Sequence, residues 1–142
     1  MSCRVIIGGG PRTGKSTLAS LLEDVEPFDV LHTDDLIDLG WSGASAEAAA
    51  WMERPAPWFV EGVATVRALR KALDRPGAPC DLLVWLREPR GLLNQDQVTM
   101  AKGCETILTG IRSELEARGV RIVEPAIDEP LDWPCWTPPA RR

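Results

Sequence analysis

Arg4-Val5-Ile6-Ile7-Gly8 is a β-branched run that stops at glycine, and the next residues read Gly9-Gly10-Pro11-Arg12-Thr13-Gly14-Lys15-Ser16-Thr17. Glycine, four residues, glycine and then Lys-Ser is the full phosphate-loop (Walker A) pattern. It is followed by Leu18, Leu21 and Leu22 at helical spacing, so the strand–loop–helix context is also present. Glycines let the backbone curl until successive amide N–H groups converge on one anion, and the helix behind adds the positive end of its dipole. The pattern predicts that Gly9 to Thr17 hold the phosphates of a nucleotide. Lys15 would then be a mobile cation for the terminal phosphates, and the Ser16 hydroxyl a ligand to Mg²⁺.

The rest of the chain reads as alternating strands and helices. Strands are expected around Val30–His32, Trp58–Glu61, Asp81–Leu86 and Val120–Val123, each short and nearly continuous in apolar residues. Helices are expected from Lys15 to about Glu23, from Ser45 to Glu53, from Val63 to about Asp74, and from about Asn94 to Arg118. The last of these has a possible break near Gly103 and a C-terminal cap at Gly119. The class is α/β: a five-stranded, mostly parallel sheet with helices on both faces. With 142 residues there is room for one domain, taken as residues 1–124, and a proline-rich tail over 125–142 packed on it.

Composition narrows the function. A net charge of −5 argues against a broadly basic nucleic-acid binder, although a cleft can be locally positive on an acidic body. Cys3, Cys80, Cys104 and Cys135 are scattered, form no C-x-x-C pair and have only His32 to complete a metal set, so free thiols in a reducing cytosol are expected and no structural metal. No leader pattern is read at the N-terminus, and no apolar run approaches the roughly 20 residues of a membrane span. The expectation is a cytoplasmic protein with no membrane partner.

Ligands of parallel sheets lie at the carboxyl ends of the strands, so the residues just after each strand are the candidates. Asp34 and Asp35 follow the second strand, where a carboxylate can take the proton of an attacking hydroxyl, and either is a candidate base. Glu61 ends the third strand and is a candidate for holding Mg²⁺. Arg67, Arg70, Lys71 and Arg75 recur at helical spacing as a basic face, with Arg67 and Arg70 candidates for a substrate phosphate. Arg87, Arg90 and Lys102 follow the fourth strand as candidate lid cations. Trp41, read in a glycine-flanked loop, could stack on a base. Trp58 and Trp85 read as core, and His32 as a strand residue with a satisfied hydrogen bond.

Together these residues resemble the P-loop kinases of the nucleoside and nucleotide kinase group, over about residues 4–123. The resemblance implies a single P-loop kinase domain, with ATP and Mg²⁺ as cofactors. Asp34-Asp35 is similar to the aspartate pair of polynucleotide kinases, whose first member is the base, although the arginine three residues on in those enzymes is Ile37 here. Val60-Glu61-Gly62 followed by Arg67 resembles the acidic-Gly element and substrate arginine of nucleoside monophosphate kinases. Trp58 to Leu73, with Gln97 to Cys104, resembles small bacteriophage P-loop proteins. One such group, related to thymidylate kinases, phosphorylates 5-hydroxymethyluracil in DNA. The implied activity is an ATP-dependent kinase acting on a hydroxyl of a nucleic-acid-related acceptor, with 5-hydroxymethyluracil in phage DNA as the specific substrate and the host cytoplasm as its place. The alternatives are a small-molecule nucleoside or nucleotide kinase and a non-kinase P-loop NTPase switch. The last lacks a guanine-reading Asn-Lys-x-Asp element to support it.

Overall fold

Val5, Ile6 and Ile7 are wholly buried, and the strand they form, β1 (Arg4–Gly9), is paired in parallel on both sides. The computed structural model describes residues 3–15 and 29–126. Four more strands complete the sheet: β2 (Asp29–His32), β3 (Trp58–Glu61), β4 (Leu82–Leu86) and β5 (Arg121–Val123). Their order is β2-β3-β1-β4-β5, and every pairing is parallel. The described helices are α1 (Gly40–Trp51), α2 (Thr65–Ala72) and α3 (Gln95–Ala117), with a 3₁₀ run over Thr33–Leu39 leading into α1.

Side chains alternate across the strands, which splits the core in two. Ile6, Val60, Leu83 and Trp85 face α1, α2 and α3, meeting Ala48, Val66, Leu69, Leu108 and Leu115. Val5, Ile7, Phe59, Leu82 and Val84 form the opposite face, equally buried, with no described helix contributing to it. Each aliphatic or aromatic side chain so buried stabilises the fold by about 1.5–3 kcal/mol before entropy is set against it. Trp58 and Trp85 are core residues as the sequence indicates. Their indole N–H groups donate to Arg54 O at 3.0 Å and to Glu105 Oε1 at 2.8 Å.

Several expectations shift. The helix expected from Ser45 starts five residues sooner, at Gly40, so Trp41 sits in its first turn and not in a loop. Gly40 and Gly43 read as loop punctuation, but the Ser45 hydroxyl donates back to Trp41 O at 2.8 Å and Ser42 O at 3.1 Å, and Lys71 Nζ donates to Ser42 O at 2.7 Å. Tertiary contacts override the local signal. The helix α3 runs unbroken through Gly103, because an Asn94–Gln97 capping box starts it and a stripe of Cys104, Ile107, Leu108, Ile111 and Leu115 buries one side. Against that stripe, one internal glycine costs only about 1 kcal/mol. Gly119 does follow the helix end, at φ +93°, while Val120 N donates to Leu115 O at 3.0 Å.

The free-thiol reading holds for Cys80 and Cys104 but not for Cys3, which is disulfide-bonded to a partner outside the described residues. Widely spaced cysteines carry no pairing signal in sequence. The expected helix after Lys15 and the tail beyond Ala126, with Cys135, also fall outside the described residues. No helix among the described residues is long and apolar enough to cross a membrane.

One glycine fixes how β3 meets the turn after β2. Gly62 has φ +136°, and a Cβ there would stand 1.8 Å from Thr33 Oγ1. Gly77 has φ +88° with open space around its missing Cβ, so it reports backbone strain alone. Gly77→Ala should therefore lower unfolding free energy by about 1–2 kcal/mol. Gly62→Ala should cost clearly more, because it must also displace the Thr33 turn. Chemical denaturation of the two variants checks this, and equal losses would show that the close packing at Gly62 is unimportant.

Candidate functional site

The loop Gly10–Gly14 leaves the C-terminal end of β1 through three positive-φ residues, Gly9 at the strand end at +141°, Arg12 at +60° and Gly14 at +91°. At Gly9 the requirement is also steric, since a Cβ would stand 2.1 Å from Leu86 O of β4. The segment after β4 clamps the loop from outside. Arg90 N donates to Arg12 O at 2.6 Å, and Arg12 Nη1 donates to Leu92 O at 2.9 Å. Inside, Lys15 is 7% exposed, and its ammonium donates to Gly10 O and, at 3.2 Å, to Thr13 Oγ1. Thr13 Oγ1 in turn donates to Gly10 O at 3.0 Å. Ser16 and Thr17 lie outside the described residues.

Lys15 shares a cleft of about 360 Å³ with Pro11, Arg12, Thr13, Gly14, Asp34, Glu61 and Val63. Parallel pairing aligns the ends of β2 and β3, so His32 and Glu61 are register partners. His32 Nδ1 lies 2.7 Å from Glu61 Oε1. Burial pushes the Glu61 carboxyl above its ordinary range, opposed by the His32 hydrogen bond and charge. Burial likewise lowers Lys15, opposed chiefly by the negative charge of Glu61 and also by Asp34. Lysine and two carboxylates therefore act on one another across a single cleft.

A second cavity of about 200 Å³ adjoins it, lined by Thr33, Asp34, Gly40, Trp41, Ala44, Val63, Ala64 and Met100. Asp34 and Val63 belong to both cavities, and Asp34 is the single charged residue among the described ones lining the second. The 3₁₀ run sets this, since successive residues turn by about 120° and send Asp34 and Asp35 in different directions. Asp35 is exposed and lines neither cavity. Trp41 is 49% exposed at the mouth, with the Arg67 guanidinium 5.5 Å from its ring centroid.

The other cations are placed differently from the expected basic face. Lys71 and Arg75 latch α2 onto α1, through Ser42 O and through Ala49 O at 2.8 Å with Glu53 at 2.5 Å. Arg67 stacks on Trp41, which leaves Arg70 as the exposed member of the four. Arg87 is held by Glu105 at 2.9 Å and Glu124 at 2.7 Å, within a network that includes Arg112. Arg90 lies against the loop, where a Cβ on Gly14 would meet its Nε at 2.6 Å. Lys102 lines a separate cavity of about 530 Å³ on the α3 side of the loop, with Gly10, Pro11 and Thr13. Sequence reasoning missed Val63, Ala64 and Met100 as cavity walls. It also missed that His32 and Glu61, each the last residue of its strand, would meet.

Among the described residues no three His, Cys, Asp or Glu side chains converge to cage a metal. Glu61 beside Lys15 instead offers one carboxylate, and a Mg²⁺ held mainly by nucleotide phosphates and water would need little more from the protein. A scan against models of known protein families finds no match to this chain, and a search of curated protein sequences finds no similar protein.

Because Glu61 carries a raised pKa, its charge is a burden on the fold that grows as pH rises through that pKa. Glu61→Gln removes the burden while keeping shape and an acceptor for His32. It should raise Tm near neutral pH, by about 2–8 °C for each kcal/mol recovered, with the gain vanishing in acid. Thermal melts across pH test this, and a lower Tm at neutral pH would contradict it.

Proposed function

We propose that the protein is an ATP-dependent phosphotransferase that moves a phosphoryl group to the hydroxyl of an acceptor bearing a single planar ring. The observation that carries this is the position of Asp34, which stands in the wall between the Lys15 cleft and the cavity of Trp41. A bound MgATP would supply the phosphoryl group, with Mg²⁺ offsetting the charge on its oxygens.

The chain's own residues do the rest. The amide N–H groups of Gly10, Arg12, Thr13 and Gly14 and the ammonium of Lys15 hold phosphate oxygens, with Ser16 and Thr17 completing the loop by its sequence pattern. Lys15 exchanges its bonds to Gly10 O and Thr13 for those to phosphate. Glu61 faces the cation side of the cleft. The Asp34 carboxylate accepts the proton of the acceptor hydroxyl as that oxygen attacks. Trp41, Ala64 and Met100 offer apolar surface to the ring and keep water from the attacking oxygen. An acceptor cavity whose one charge among the described residues is negative favours a hydroxyl, which needs a base, over a phosphate, which needs cations.

The size of that cavity supports a finer reading. Pockets for whole drug-sized ligands run to about 300–1,000 Å³. About 200 Å³ suits one ring with the remainder of the acceptor outside. A base turned out of a polymer meets that description, so 5-hydroxymethyluracil in DNA is the specific acceptor we propose first, ahead of a free nucleoside. With Lys71 and Arg75 committed to α1, backbone contact falls to Arg67, Arg70 and the rim cations Arg12 and Arg90. Few phosphate contacts predict a shallow loss of activity with salt.

Transfer of labelled γ-phosphate to a panel of nucleosides, nucleotides and modified oligonucleotides tests the reading. Label should appear on the 5-hydroxymethyluracil oligonucleotide and not on its thymine counterpart. Lys15→Ala should reduce transfer by about 10²–10³-fold. Asp34→Asn should reduce it by about 10²–10⁴-fold with little change in ATP affinity, and Asp35→Asn should have little effect. Label on free nucleosides alone would leave the metabolite kinase. Fast ATP turnover that needs no acceptor and survives Asp34→Asn would point to an NTPase switch and overturn the proposal.

A further inference from the structure

Glu61 is buried to 1% exposure, and one of its oxygens already has a partner. That partner is not on the loop, the turn of Asp34 or any helix. It is His32, the register neighbour of Glu61 on the next strand. When Glu61 is ionised its carboxylate only accepts, and Nδ1 is then the donor in the 2.7 Å contact. Among the described residues Oε2 has no hydrogen bond, while Glu61 lines the cleft with Lys15 and Asp34. The ring of His32 sits at the end of β2, immediately before Thr33 and Asp34, and Thr33 is buried against Gly62. His32 thus links the strand end bearing the candidate base to the strand end bearing the candidate cation ligand.

We propose that His32 is a positioning residue: by donating Nδ1–H to Glu61 Oε1, it fixes the buried carboxylate so that Oε2 is presented to the cation–phosphate cleft. The inference rests on the reading of that cleft as a Mg²⁺–nucleotide site. The physical reason is rotamer freedom. A glutamate has three side-chain torsions, and a strand-end carboxylate without an anchor would turn to water or onto the Lys15 ammonium. Anchoring one oxygen on a rigid sheet leaves the other a fixed direction. Partners of this kind commonly hold ligand groups to metals, and losing one typically weakens metal affinity by about 10–100-fold.

The test is an equilibrium one on the full chain: ATP affinity measured calorimetrically against Mg²⁺ concentration. His32→Phe keeps ring volume and removes the donor, and it should raise the Mg²⁺ midpoint by about 10–100-fold. His32→Asn keeps an N–H donor near the Nδ1 position and should bring the midpoint most of the way back. In a Glu61→Gln background, His32→Phe should move the midpoint no further, since its action passes through Glu61. If His32→Phe fails to fold, His32→Leu carries the same prediction. A lowered Tm with an unchanged midpoint would show His32 to be merely structural and overturn the proposal. Absence of Mg²⁺-dependent ATP binding in the unaltered protein would instead sink the cleft reading itself, and this inference with it.

Discussion

β1 is paired in parallel on both sides, with β3 from Arg4↔Trp58 to Ile7↔Glu61 and with β4 from Val5↔Leu82 to Gly9↔Leu86. Because β2 and β5 run the same way, all the strands exit on one edge of the sheet. Burial on both faces makes that arrangement stable, and it leaves polar residues one place to gather. The glycine loop, His32 with the Asp34 turn, Glu61 and the Arg87–Leu93 segment all follow strand ends. The site is a consequence of strand direction before it is a matter of any particular side chain.

Burial then sets the chemistry. Lys15 and Glu61 are both nearly closed off from water, and each is pushed toward its neutral form by that loss of solvent. Each is partly offset by its neighbours, Lys15 chiefly by Glu61, and Glu61 chiefly by the hydrogen bond and charge of His32. Polar groups held under such tension interact strongly with an incoming phosphate or cation, because little water screens them.

Much of this is legible in the residues alone. The β1 run and its glycine loop are local signals, as are the apolar β4 and the start of α3 near Asn94, and no distant contact is needed to read them. What is not legible depends on contacts between distant segments. Trp41 reads as a loop residue because Gly40 and Gly43 flank it, yet Lys71 and Arg67 of α2 hold it in a helix. The basic face of α2 reads as a docking surface, yet two of its cations are spent on α1. Residue type and position do not separate Asp34 from Asp35, and only the resemblance to polynucleotide kinases favours Asp34, until the 3₁₀ run gives them different directions. The His32–Glu61 pair needs the β2–β3 register, and the bridge at Cys3 needs the folded chain.

The central claim is that donor phosphate and acceptor ring meet at Asp34. A crystal structure with Mg²⁺ and a non-hydrolysable ATP analogue tests it most directly. The account predicts the terminal phosphate in the Gly10–Lys15 loop, with Lys15 turned from Gly10 O onto its oxygens, Glu61 on the cation side and Asp34 facing the phosphorus across the opening to the Trp41 cavity. Phosphates bound elsewhere, or a terminal phosphate pointing away from Asp34, would contradict it.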